Sequence, residues 1–68
     1  MVNEIRMHIT DARNLRYTIE WNYNDKRNYL LDLPTDQAYS VMYRLVDAQI
    51  GSKKATKETI IKYIKAKR

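Results

Sequence analysis

The sequence predicts an α+β domain: a three-stranded antiparallel β-meander packed on one helix and followed by a basic C-terminal helix, in the order β-β-β-α-α. Three observations predict it. Apolar residues alternate with polar ones in three successive runs before Pro34, and they switch to helical spacing after it. Charge is also divided sharply along the chain. Residues 53–68 carry seven basic side chains against one acidic, a net of +6, whereas residues 1–52 carry six against seven.

The first strand is expected over about 3–10, where Ile5, Met7 and Ile9 alternate with Glu4, Arg6, His8 and Thr10. The second, over about 15–23, has the clearest alternation: Leu15, Tyr17, Ile19, Trp21 and Tyr23 against Arg16, Thr18, Glu20 and Asn22. The third, over about 28–33, continues it with Tyr29, Leu31 and Leu33. Directly opposed residues share a face, so parity sets the register. Pairing Asp11 with Leu15 leaves the loop Ala12–Arg13–Asn14, with Asn14 in the left-handed conformation, and sets Met7 opposite Ile19 and Arg6 opposite Glu20. Pairing Tyr23 with Arg27 around Asn24–Asp25–Lys26 sets Trp21 opposite Tyr29 and Ile19 opposite Leu31.

A helix over about 35–50 follows Pro34, with Thr35 or Asp36 as its cap and Gly51 as a left-handed stop. Ala38, Val41, Met42, Leu45 and Ala48 form its core-facing stripe, and Tyr39, Tyr43, Val46 and Ile50 form a second stripe beside it. Thr56 is placed to cap a second helix over about 56–67, with Ile60, Ile61 and Ile64 inward and Lys62 and Lys65 outward. Its 68 residues are expected to make one small domain. A chain of this length buries only roughly 60% of its unfolded surface and folds with a narrow margin.

Composition narrows the function classes. The chain has no cysteine and one histidine, His8, which excludes disulfides, iron–sulfur ligation and the usual zinc sites, and no cofactor is expected. Apolar runs never exceed three residues, so neither a transmembrane helix nor a secretory segment is expected, no membrane partner is implied, and a cytoplasmic location follows. A row of His8, Thr18 and Asp32 across the three strands invites comparison with a catalytic triad. Its outer members would lie roughly 9–10 Å apart, and no nucleophile elbow or oxyanion loop accompanies them, so no enzyme is expected.

A neutral body with a cationic end suits a polyanion partner. The expected function is therefore a small non-enzymatic nucleic-acid-binding accessory or regulatory protein. Lys53, Lys54, Lys57, Lys62, Lys65 and Arg68 are its phosphate contacts, with Arg13, Lys26 and Arg27 at the hairpin tips as peripheral ones. The outer sheet face mixes Arg6 and Arg16 with Glu4, Glu20 and Asp32, and is expected to be an ordinary solvated surface. The alternative is a small adaptor or inhibitor that binds a protein target through Tyr39, Tyr43, Val46 and Ile50, a face that would also serve as a homodimer seam. The chain's size and style suit a phage or mobile-element product.

Gly51–Ser52–Lys53–Lys54–Ala55–Thr56–Lys57 resembles the Ser-Lys-Lys-x-Ala-Lys signature that opens the last helix of double-stranded-RNA-binding domains, over about fifteen residues. The resemblance implies that Lys53, Lys54 and Lys57 bridge phosphates. The family's alanines are Thr56, Ile60 and Ile61 here, and its first helix has no counterpart. The order of three strands then a helix also resembles the arm-site DNA-binding domains of mobile-element integrases, in topology only. Neither likeness assigns the chain to a family.

Overall fold

The computed structural model describes residues 2–51 and 55–66, with Lys65 and Ala66 described by their backbone alone. The three expected strands are present as β1 (Val2–Asp11), β2 (Arg16–Tyr23) and β3 (Lys26–Pro34), followed by helix α1 (Thr35–Ile50). A short helix α2 (Lys57–Ile61) and a strand β4 (Ile64–Ala66) come next. β4 pairs parallel with β1, making a four-stranded sheet in the order β3-β2-β1-β4.

The centre of the first hairpin has the expected register, with Arg6 opposite Glu20, Met7 opposite Ile19 and His8 opposite Thr18. Its tip differs. Asp11 opposes Arg16, and the loop takes in Leu15, which is exposed at φ 52°. The Asp11 carboxylate accepts from the Asn14 backbone N–H (3.2 Å) and side-chain amide (2.8 Å). Asn14 is thereby held in the turn, and the left-handed residue becomes the next one. Near the other end, an irregularity between Asn3 and Arg6, with Glu4 at φ 51°, resets the alternation so that Val2 joins Ile5 and Met7 in the core.

The second hairpin corrects the expected register by one residue. Its loop is Asn24–Asp25 alone, at φ 52° and 65°, closed by Tyr23 opposite Lys26. Two left-handed residues make the turn whose twist matches the flanking strands, and Asn and Asp tolerate that conformation best after glycine. The two-residue turn therefore displaces the three-residue one, and every side chain of the following run changes face. Leu30, not Leu31, opposes Ile19, and Tyr29 opposes Glu20 on the outer face. A second irregularity between Leu30 and Leu33, with Asp32 at φ 58°, absorbs the extra residue and returns Leu33 to the inner face opposite Tyr17.

α1 crosses the inner face of the sheet. Pro34 occupies the N-cap position, where its missing N–H costs nothing, so neither Thr35 nor Asp36 caps the helix. Gly51 ends it in the left-handed conformation (φ 83°), donating to the Asp47 carbonyl at 2.9 Å. The fully buried line is Ala38, Met42 and Val46, which runs between the two expected stripes. Tyr39, Val41, Tyr43 and Leu45 pack along its flanks, while Ala48 and Ile50 are exposed.

The second helix corrects an expectation more deeply. α2 starts at the Thr56 cap, which accepts from the Thr59 N–H at 3.3 Å, but it stops at Ile61 rather than near residue 67. The chain turns through Lys62 and Tyr63, the Tyr63 carbonyl accepts from the Met7 N–H at 3.1 Å, and β4 begins. The reason is twofold. A meander leaves the backbone groups of β1 unpaired along one edge, and β-branched and aromatic residues such as Ile64 and Tyr63 are weak helix formers that suit a strand. Ile60 is fully buried as expected, whereas Ile61 is exposed. The core is thus Val2, Ile5 and Met7 of β1, Tyr17 and Ile19 of β2, the α1 line, and Ile60.

Candidate nucleic-acid interface

Of the six cations expected to meet phosphates, Lys53, Lys54 and Arg68 lie outside the described residues. Lys57 opens α2 and is exposed, with its Nζ 5.9 Å from the centroid of the Tyr39 ring, a cation–π distance that still leaves the ammonium in water. Lys62 is exposed in the turn that ends α2. Lys65 stands on β4 at the position opposite His8. Because β4 runs parallel to β1, it advances toward the end of the sheet where the Ala12–Leu15 loop presents Arg13. Arg13 and β4 therefore share one end. Lys26, beside the Asn24–Asp25 turn, lies at the other end.

Arg27 is not a free peripheral cation. The one-residue register change puts it on the outer face, opposite Asn22. Its guanidinium donates through Nε (3.1 Å) and Nη2 to Glu20 Oε1, and through Nη1 to Asn22 Oδ1 at 2.9 Å. Glu20 Oε2 takes a further hydrogen bond from His8 Nε2 at 2.5 Å, and the Asn22 amide donates to Glu4. A polar chain of Glu4, Asn22, Arg27, Glu20 and His8 thus runs across three strands. Sequence reasoning missed it, because it paired Glu20 with Arg6. Directly opposed on the register, Arg6 nonetheless makes no ion pair among the described residues. Arg16 Nε lies 4.0 Å from Asp32 Oδ1, both well exposed. His8 is thus engaged by a carboxylate, but by Glu20, not Asp32.

The Arg27 guanidinium, with a smaller contribution from His8, holds the Glu20 carboxyl below its ordinary value of 4.5. A carboxyl depressed on folding stabilises the fold above its unfolded pKa, and that contribution disappears as pH falls through the folded value. We expect Glu20→Gln to remove about 1 kcal/mol of stability at pH 7, a surface-pair magnitude, and to cost progressively less below pH ~4.5. Urea unfolding of both proteins between pH ~3 and 7 reads this directly, as two stability curves that converge in acid.

The residues of the alternative, protein-binding face do not form one surface. Val46 is fully buried beneath α1, and Ile50 is exposed at the far end of the helix. Tyr39 and Tyr43 are half-buried, and with Thr35, Asp36, Ser40 and Lys57 they line an open concavity of about 450 Å³. Burial, followed by the neighbouring Tyr17 and Tyr43 hydroxyls, raises the Tyr39 pKa above its ordinary 10.0.

Among the described residues, no helix is long and apolar enough to cross a membrane. No family model, curated protein or solved structure matches the chain.

Proposed function

We propose that this protein is a small non-enzymatic nucleic-acid-binding accessory or regulatory factor, whose phosphate contacts come from Lys53, Lys54, Lys57, Lys62, Lys65 and Arg68. The observation that carries the reading is the division of charge: a net of +6 over residues 53–68, joined to a body of opposite and nearly zero charge. Such a cluster gains affinity by releasing condensed counterions from a polynucleotide, a gain that a chain of evenly mixed charge does not obtain. Two features of the fold support the reading. Lys57 and Lys62 flank α2 and are exposed, and β4 advances toward the same end of the sheet as Arg13. The outer face contributes less, since Arg27 is spent on Glu20 and Arg16 lies beside Asp32.

The test is a mobility-shift titration against duplex DNA, single-stranded DNA and duplex RNA at two salt concentrations. With about six phosphates neutralised, duplex affinity falls about a thousandfold between 50 and 200 mM salt. No association with any of the three at low salt would refute the proposal.

The concavity beside Tyr39 and Tyr43 favours a second reading, an adaptor that docks a protein segment there. In that case partner binding depends only mildly on salt and is weakened by Tyr43→Ala. The two readings separate on the pair Lys53→Glu with Lys57→Glu, which abolishes polynucleotide binding if phosphates are the target.

A further inference from the structure

Asp36, Tyr39, Ser40 and Tyr43 follow one another at helical spacing along one side of α1, and Lys57, the first residue of α2, joins them in lining the concavity. Its wall therefore offers a carboxylate in the first turn of α1, two phenol rings in the turns after it and an ammonium from the second helix. Among the described residues, the Asp36 carboxylate and the hydroxyls of Tyr39, Ser40 and Tyr43 take part in no hydrogen bond or ion pair. The Lys57 ammonium sits loosely over the Tyr39 ring, at 5.9 Å. A few convergent polar groups on an aromatic hollow are the ordinary lining of a small-ligand site, and about 450 Å³ has room for a base with its sugar. Pro34 lies opposite Arg16, so α1 leaves the sheet at the end that carries the Ala12–Leu15 loop and Arg13. The hollow over the first turns of α1 thus lies at the end toward which β4 advances, and Lys57 belongs both to its wall and to the segment of net +6.

We propose, resting on the polynucleotide reading, that this concavity holds one unpaired nucleotide of a single strand, with guanine as the preferred base. Lys57 fixes the phosphate end, since an ammonium donates to phosphate oxygens and reaches them without giving up a hydrogen bond among the described residues. Tyr39 and Tyr43 supply the surface on which a base stacks, a contact that tolerates any base. Asp36 sets the orientation and the choice of base. Its carboxylate repels a phosphate, so the base edge lies toward Asp36 and the phosphate toward Lys57.

A carboxylate accepts and does not donate. Guanine alone presents two adjacent donors on its Watson–Crick edge, N1–H and the N2 amino group, and they match the two carboxylate oxygens. Adenine and cytosine place an acceptor beside their amino group, and uracil and thymine flank their one N–H with two carbonyls, so each loses a bond or meets repulsion. In a duplex this edge is already paired, and the site reads unpaired strands.

Chemical-shift titration of the full chain with guanosine 5′-monophosphate, compared with the adenosine, cytidine and uridine monophosphates and with ribose 5-phosphate, tests the site. The expected result is perturbation of the Asp36, Tyr39, Ser40, Tyr43 and Lys57 amides by guanosine monophosphate, with roughly tenfold tighter binding than the other bases give. Ribose 5-phosphate, which has no base to stack, moves Lys57 and leaves the tyrosines unmoved. Asp36→Asn abolishes the guanine preference, and Tyr43→Leu weakens all four nucleotides, both with the circular dichroism spectrum retained. In a mobility shift, an oligothymidine carrying one central guanine binds more tightly than the same strand carrying adenine, and Asp36→Asn removes the difference. Equal binding of the two strands by the unaltered chain overturns the base site and leaves the polynucleotide reading standing, whereas no binding of either at low salt overturns both. A guanine preference that survives Asp36→Asn overturns the proposal, as does a concavity silent to every nucleotide, which returns it to the protein-docking reading.

Discussion

Ile19→Ala brings the protein close to its unfolding midpoint at 25 °C, whereas Leu31→Ala leaves monomer stability nearly unchanged. Ile19 is fully buried at the centre of the sheet's inner face, between Met7 and Leu30 and beneath α1. Its truncation removes three carbons and leaves a cavity in a core too small to collapse around it, at a cost of about 2–5 kcal/mol. A domain of this size has about 3–10 kcal/mol in total. Leu31 is mostly exposed on the outer face, so its truncation costs less than about 0.5 kcal/mol. The contrast is diagnostic, since a three-residue second loop would bury both side chains on the same face. Urea titration of each variant as a monomer, at low micromolar concentration, checks it. Equal losses would contradict the observed register.

On the proposed polynucleotide reading, Lys57→Ala combined with Lys62→Ala weakens duplex binding about fiftyfold at 0.1 M salt and lowers the slope of log K against log salt by about two. One phosphate contact contributes about 0.9 to that slope, so near 0.1 M it accounts for almost tenfold in affinity relative to 1 M. Both side chains are exposed, and both positions lie within the segment of net +6, so their truncation lowers the local charge without disturbing the core. Lys26→Ala, at the opposite end of the sheet, lowers the slope by less than one. Parallel titrations of the three proteins against one duplex at four salt concentrations make the comparison. Equal effects from Lys26 and from the Lys57–Lys62 pair would mean that the cations act through net charge alone.

The outline of the fold was legible because each element carries its own period. β2 alternates from Tyr17 to Tyr23, and α1 is bounded by Pro34 and Gly51. The register of the first hairpin was legible as well, because Met7 and Ile19 must share the buried face. Three features were not. The loop after Tyr23 has two residues because paired left-handed conformations at Asn24 and Asp25 match strand twist, and hydrophobicity alone cannot weigh that against a longer loop when Tyr29–Leu30–Leu31 offers an apolar residue at either parity. The offset at Asp32 that restores Leu33 has no signature beyond an Asp able to take positive φ. The end of α2 was hidden because Ile60, Ile61 and Ile64 fit helical spacing. The competing demand came from β1, residues 7–9, whose open edge is visible only once the sheet is assembled. The same holds for the candidate site: Lys57 and Lys62 were found from charge alone, but Arg27 was not separable from them until its face was known.

That last strand has a kinetic meaning. β4 joins Met7–Ile9 to Ile64–Ala66, a contact that spans nearly the whole chain, whereas the two hairpins and α1 close over short distances. Long loops close slowly, so β4 is expected to dock after the meander has formed, and with three residues of ladder among the described residues it is expected to detach before the hairpins do. The Met7 amide, whose acceptor is the Tyr63 carbonyl, registers each detachment by exchanging its hydrogen with solvent.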